Sequence, residues 1–215
     1  MTMNYEPYSE HEIVNGHIIF KKIVHDECPG NPLEDCDAMG SIFSFSNRHV
    51  NSIKQEQAEA YLEEYGEDAV FLSYFEHGLC RWGVKGTMSN MPDFRWDGVG
   101  TAGLWIPDKC LLEEAKNMKG QERREKMEEW AGQACEVYTQ WCNGEVYGVV
   151  VTAYEARYRG GNLLDDANDY RFDTPVYDES CWGYYGYQYA EEVLQDEWLP
   201  WAKEAIKEEN SHNPA

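Results

Sequence analysis

Apolar residues recur along this chain at two spacings, one suited to strands and one to helices. The run Ile18-Ile19-Phe20-Lys21-Lys22-Ile23-Val24 is short and β-branched, which predicts a strand that ends in a loop at Pro29 and Pro32. After Gly40, Ile42-Phe43-Ser44-Phe45 alternates apolar and small polar residues and reads as a second strand. Residues 69–75 and 78–84 read as paired strands joined at Glu76-His77, and residues 101–106, 146–154 and the aromatic segment 178–187 as further strands. Helical spacing marks residues 53–65, with Ser52 and Gln55 as a capping box and Gly66 as the stop. Pro107 and Asp108 open a short helix that turns Leu111, Leu112 and Ala115 inward. The strongest pattern covers 121–142, where Met127, Trp130, Ala134, Tyr138 and Trp141 form one stripe that ends at Asn143-Gly144. A last helix over 188–208 carries Val193, Leu194, Trp198 and Trp201 on one side, with a kink at Pro200.

Strands and helices alternate irregularly, and the strands are short enough for hairpins. This predicts an α+β fold, a mainly antiparallel sheet with three to four helices packed on one face. Length favours a single domain over residues 1–215, with 1–15 and 209–215 as flexible ends.

Composition changes the picture through charge. Forty acidic residues against eighteen Lys and Arg give a formal net charge of −22. With 42% hydrophobic and 14% aromatic residues the chain can still build a core, so the acidity does not signal disorder. A folded domain so charged repels nucleic acid and anionic membrane and attracts basic protein surfaces. Acid is threaded among aromatics throughout, and residues 151–215 alone carry a net −9. No apolar run is long enough for a membrane span, and the polar N-terminus does not read as a signal peptide. The seven cysteines (28, 36, 80, 110, 135, 142 and 181) form no CxxC pair, which indicates reduced thiols in a cytoplasmic protein.

The densest acidic segment, 26–37, places Asp26, Glu27, Glu34, Asp35 and Asp37 around Pro29 and Pro32. Asp26, Asp35 and Asp37 with the Asn31 amide would be hard oxygen ligands for Ca²⁺ or Mg²⁺, although the spacing is not that of an EF-hand. The plainer expectation is an acidic turn whose side chains bond their own backbone, with no cofactor. Arg95-Trp96-Asp97-Gly98-Val99-Gly100 lacks the glycines and the Lys-Ser/Thr of a phosphate loop and reads as a turn. His25, His49 and His77 could serve Asp26, Asp37 or Cys80 only if folding brought them together, and no catalytic motif joins them. The chain therefore reads as a non-enzyme. Ser180 to Tyr187 is the most aromatic stretch; Trp182, Tyr184 and Tyr185 are its candidate contacts, but its acidic flanks are the reverse of a single-strand-binding groove.

Four segments in order resemble a family of acidic accessory proteins encoded by phages and prophages, a family without an agreed activity. They are residues 26–48 with Pro29, Asn31-Pro32, Asp37, Gly40 and Arg48; Trp96-Asp97 through Ile106 and the Asp108 helix; Glu136-Val137-Tyr138 through Gly144-Glu145-Val146-Tyr147-Gly148; and residues 178–186. They span about residues 20–190, and Phe45-Ser46-Asn47 departs from the aromatic and basic positions expected after Gly40. The resemblance implies a phage setting and supplies no catalytic residues.

Together these features lead to the expectation of a host-defence inhibitor, of anti-restriction or anti-CRISPR kind, that acts in the host cytoplasm. Its carboxylates would occupy a basic surface on a nucleic-acid-binding complex in the manner of a DNA mimic. The expected contact residues are Asp26, Glu27, Glu34, Asp35, Asp37, Glu59, Glu63, Asp165, Asp166, Asp169 and Asp173, with no direct binding to nucleic acid or membrane. The alternatives are a metal or small-ligand module built on 26–37, or an acidic protein with no electrostatic partner. An exposed Trp or Tyr patch would also allow a homodimer.

Overall fold

The computed structural model describes residues 8–35 and 39–212. In chain order its elements are β1 (Tyr8–Val14), β2 (His17–His25), α1 (Pro32–Asp35), β3 (Ser41–Ser44), α2 (Gln55–Tyr65), β4 (Val70–His77), β5 (Leu79–Val84), α3 (Phe94–Asp97), β6 (Gly98–Ile106), α4 (Lys109–Glu114), α5 (Gly120–Cys142), β7 (Val146–Glu155), β8 (Tyr158–Arg159), β9 (Asn162–Leu163), β10 (Tyr177–Tyr185), α6 (Tyr187–Val193) and α7 (Leu199–His212). The fold is α+β and its named strands pair antiparallel. Backbone contacts divide the chain into two compact units, Met1–Pro29 with Glu145–Ala215, and Gly30–Gly144.

The first unit is built on a sheet of order β1-β2-β7-β10. β2 and β7 pair over their length, from His17 opposite Glu155 to His25 opposite Tyr147. Alternation sends Ile19, Ile23, Val149, Val151 and Ala153 to one face, where they pack on Val193, Leu194, Trp198, Ala202 and Ile206. Ile18 and Phe20 point the other way and are covered by Tyr170. Burial on both faces explains why β2 reads as an almost continuous apolar run.

Two expectations change in this unit. Residues 8–14, part of the end expected to be flexible, form β1 along the outside of β2. Its polarity hides an edge strand: Glu12 reaches Lys203 of α7 at 2.8 Å, and Glu10 lies 3.5 Å from Lys21, which is only 8% exposed. Charges placed on an edge strand discourage pairing with another chain. The last helix is interrupted by a π turn, Leu194–Trp198, immediately before the expected kink at Pro200, whose missing N–H cannot extend the α-helical ladder. Beyond it α7 runs to His212, so residues 209–212 are helical.

The second unit has a sheet of order β3-β6-β4-β5. The α5 stripe read from the sequence lies on one face, where Met127, Trp130, Ala134 and Tyr138 meet Ile42, Leu72, Trp82 and Trp105. The other face carries Leu104 and Ile106 against Ala58 of α2, with Phe43 stacked on Tyr61 at 4.8 Å. Helix α2 begins at Gln55, two residues later than expected, with Lys54 and not Ser52 at its N-cap. Ile53 N donates to Ser44 O, holding this segment against β3, and the half box is made by Lys54 N on Gln57 Oε1 at 3.0 Å. Asp108 caps α4 as expected, accepting from Leu111 N at 3.0 Å, and its other oxygen accepts from Gly40 N.

Candidate functional site

β5 is the outer strand of the second sheet, so one row of its N–H and C=O groups needs partners from outside the sheet. Helix α5 supplies them from side chains. Thr139 Oγ1 accepts from Trp82 N at 2.9 Å, Asn143 Oδ1 accepts from Cys80 N at 3.0 Å, and Asn143 Nδ2 donates to Cys80 O at 3.0 Å. The helix is thus bonded side-on to the strand, and hollows open along the seam.

One is a groove of about 720 Å³. From the strand side and the turn after it come Trp82, Val84, Met88 and Met91. From α5 come Glu125, Glu128, Glu129 and Glu136, with Gly132 between them. That spacing is one helical face, adjacent to the buried stripe. Arg81 is the basic residue among the lining side chains. Glu129 is already paired with Lys126, whose ammonium lies 3.1 Å from both its oxygens and over the Trp130 ring. The result is a thioether- and indole-lined hollow walled by carboxylates. A second hollow of about 590 Å³ shares Val84 and Glu128 with it and adds Phe71, Lys85 and Arg124.

A third hollow, about 360 Å³, lies at the end of the same seam and is lined by His49, Tyr74, Cys80, Tyr138, Cys142 and Asn143 among others. Here folding does bring His49 and Cys80 into one cavity, as the sequence reading required of a working pair. His49 Nδ1, however, bonds Ser44 Oγ at 2.8 Å, and its ring packs edge-on to Tyr74 and Trp82. Burial lowers its pKa, opposed by nearby Glu76. The Cys80 thiol donates to Cys142, whose thiolate is further favoured by the Tyr138 hydroxyl; the Cys142 pKa is lowered and that of Cys80 raised. His77 is engaged elsewhere, by Asp97 at 2.7 Å, and that hydrogen bond raises its pKa. His25 packs on Tyr147.

The carboxylates expected to form the contact surface are dispersed. Asp26, Glu27, Asp165, Asp166, Asp169 and Asp173 belong to the first unit, and Glu34, Asp35, Glu59 and Glu63 to the second. Asp37 lies outside the described residues. Glu27, Glu34, Glu59, Glu63, Asp165, Asp166 and Asp169 are exposed. Several are occupied locally: Asp26 Oδ1 accepts from Cys28 N at 3.0 Å, Glu34 accepts from Asn31, and Asp166 caps the turn at Asn168. Asp173 is half-buried and pairs with Arg157 at 2.9 Å. Bonding within 26–34 is of the kind expected of an acidic turn. Among the described residues no group of three or more His, Cys, Asp or Glu could hold a metal ion.

Of the aromatic candidates, Trp182 is 50% exposed and rests on Gly148, where a Cβ would lie 2.3 Å from its ring. Tyr184 is half-buried in the first core and accepts from Trp198 Nε1 at 3.2 Å. Tyr185 is also half-buried. The groove residues were missed by the sequence reading, which followed only the apolar stripe of α5. The glutamate face at 125, 128, 129 and 136 was a signal available beside it. Among the described residues no helix is long and apolar enough to cross a membrane. Comparison of the chain with known protein families, with curated proteins and with solved structures finds no match.

Proposed function

We propose that this chain is a non-enzymatic binding protein that receives a basic protein segment in the groove between β5 and α5. The observation that carries this reading is the pairing of Glu125, Glu128, Glu129 and Glu136 with Met88, Met91 and Trp82 around one hollow. Lys and Arg side chains have an aliphatic stem and a charged head, and such a lining satisfies both at once. Thioethers adapt to irregular stems, and indole faces attract cations. The net charge of −22 adds long-range steering toward a basic surface and repels nucleic acid.

In its fullest form, the reading is of a phage-type inhibitor, acting in the host cytoplasm, that occupies the Lys/Arg surface of a nucleic-acid-binding defence complex. The resemblance to phage accessory proteins supports that setting, and the dispersed exposed carboxylates would add peripheral contacts. Contacts at a solvent-exposed rim contribute only about 0.2–1 kcal/mol each, so the groove is the anchor.

The test is binding of Lys/Arg-rich amphipathic peptides, and capture of basic host complexes, from about 50 to about 500 mM salt. Affinity should fall steeply with salt. The charge-reversed pair E128K/E136K should abolish peptide binding, while E59K/E63K on α2 should leave it nearly unchanged. Salt-independent binding, or equal loss from both variants, would remove the groove from the account.

A further inference from the structure

The third hollow contains two thiols held together by more than proximity. Asn143, the residue after Cys142, clamps both the N–H and the C=O of Cys80 at 3.0 Å. The backbones of the two cysteines are therefore held close to each other at the end of the β5–α5 seam, and both residues line one cavity. Both line a cavity that opens to solvent, with Cys142 exposed and Cys80 half-buried. We propose that Cys80 and Cys142 are a redox-active pair that closes to an intramolecular disulfide by exchange with a low-molecular-weight disulfide such as oxidised glutathione.

The roles of the two sulfurs differ. Cys142 is the last residue of α5, where the negative pole of the helix disfavours a thiolate. The Cys80 thiol and the Tyr138 hydroxyl, both aimed at Cys142, offset this, so Cys142 is the attacking sulfur. Its thiolate attacks one sulfur of the small disulfide; the S–S bond breaks, a mixed disulfide forms on Cys142 and one small thiolate leaves. The chief cause that holds the proton on Cys80 is its hydrogen bond to the Cys142 thiolate, and the first step removes that anion. The Cys80 proton passes to the departed thiolate, and the Cys80 sulfur attacks Sγ of Cys142. The Cys80–Cys142 bond forms at about 2.05 Å and the second small thiolate leaves, taking up a solvent proton. Two protein thiols have lost two electrons, and one small disulfide has become two thiols.

The other described cysteines set the contrast. Cys135 is buried and desolvation pushes its pKa up to about 12, so it is inert. Cys28, Cys110 and Cys181 are exposed and serve as controls for simple mixed-disulfide formation.

The experiment is incubation of the full chain with oxidised glutathione at neutral pH, a quench, and peptide mapping by mass spectrometry without reduction. In the wild type, the peptides carrying Cys80 and Cys142 should appear linked, with the loss of two hydrogens. Cys80→Ser should trap a lasting glutathione adduct on Cys142, and Cys142→Ser should leave Cys80 unmodified over the same time. Tyr138→Phe should slow the reaction at Cys142 and move its pH profile upward, a change that a merely structural tyrosine would not produce. A lasting adduct on Cys142 in the wild type, or both thiols reduced while Cys110 is modified, would overturn the proposal.

Discussion

The pair formed by Asp68 and Arg123 offers the sharpest test of what holds the second unit together. Arg123 Nε and Nη2 donate to the two oxygens of Asp68 at 2.6 and 2.7 Å, and Nη1 donates to Ala115 O. One guanidinium thus joins the turn after α2, the turn after α4 and the first turns of α5. The side chains are 24% and 17% exposed, intermediate between a surface pair and a buried one. At an effective dielectric of about 20, unit charges roughly 4 Å apart attract by about 4 kcal/mol. Ordering the arginine offsets about 2 kcal/mol of that, and partial desolvation offsets more. The bidentate, charge-assisted geometry restores part of the loss, leaving a net coupling of about 2 kcal/mol. The assay is a double-mutant cycle with Asp68→Asn and Arg123→Met, read by urea unfolding with both tryptophan fluorescence and far-ultraviolet circular dichroism. Lys207–Glu204, with both side chains more than 60% exposed, is the control, and its coupling should stay below about 0.5 kcal/mol. A coupling for Asp68–Arg123 no larger than that control would mean that this pair does not hold the three segments together.

Other perturbations probe separate links. Gly103→Ala would place a Cβ 2.1 Å from the Phe43 carbonyl in the middle of the sheet and should destabilise by about 3 kcal/mol or more; Gly132→Ala, in open space on α5, should stabilise by about 0.5–1 kcal/mol, both read as shifts in urea midpoint. By NMR titration His49 should titrate below 6.5 and His77 above it, with Asp97→Asn returning His77 toward 6.5. For His49 the unfolded state binds the proton more readily, so its contribution is fully present above pH 6.5 and is lost as pH falls toward the folded value; for His77 it is present below 6.5 and lost as pH rises through the raised value. Leu104→Ala, at a fully buried position under α2, should lower stability by about 2–5 kcal/mol in the same urea assay.

The α5 stripe, the Asp108 cap, the pairing of β4 with β5 and the α+β class were all legible in the sequence, although the hairpin turns at Gly78, and Glu76 and His77, expected as its join, pair within it. Each rests on interactions between residues a few positions apart, which periodicity and capping chemistry report directly. β1 was not legible, because Tyr8-Ser9-Glu10-His11-Glu12 is polar and acquires its partners Lys21 and Lys203 only when β2 and α7 are in place. The π turn before Pro200 was legible only as a kink, because a proline shows where a ladder breaks but not how the chain repairs it.

The candidate sites divide in the same way. The net charge of −22 and a glutamate face on α5 follow from the order of the residues alone. The bonding of segment 26–34 to its own backbone was legible too, since Asp26 and Cys28 are two residues apart; folding of the whole unit was needed to set the glutamate face opposite Met88 and Met91 and to bring Cys80 and Cys142 to one cavity. Strand β5 lies at the sheet edge, and its N–H groups find Thr139 and Asn143 far along the chain. Which distant residues meet is fixed by how unpaired backbone groups and apolar faces are satisfied together over the whole unit, and no local pattern encodes that choice.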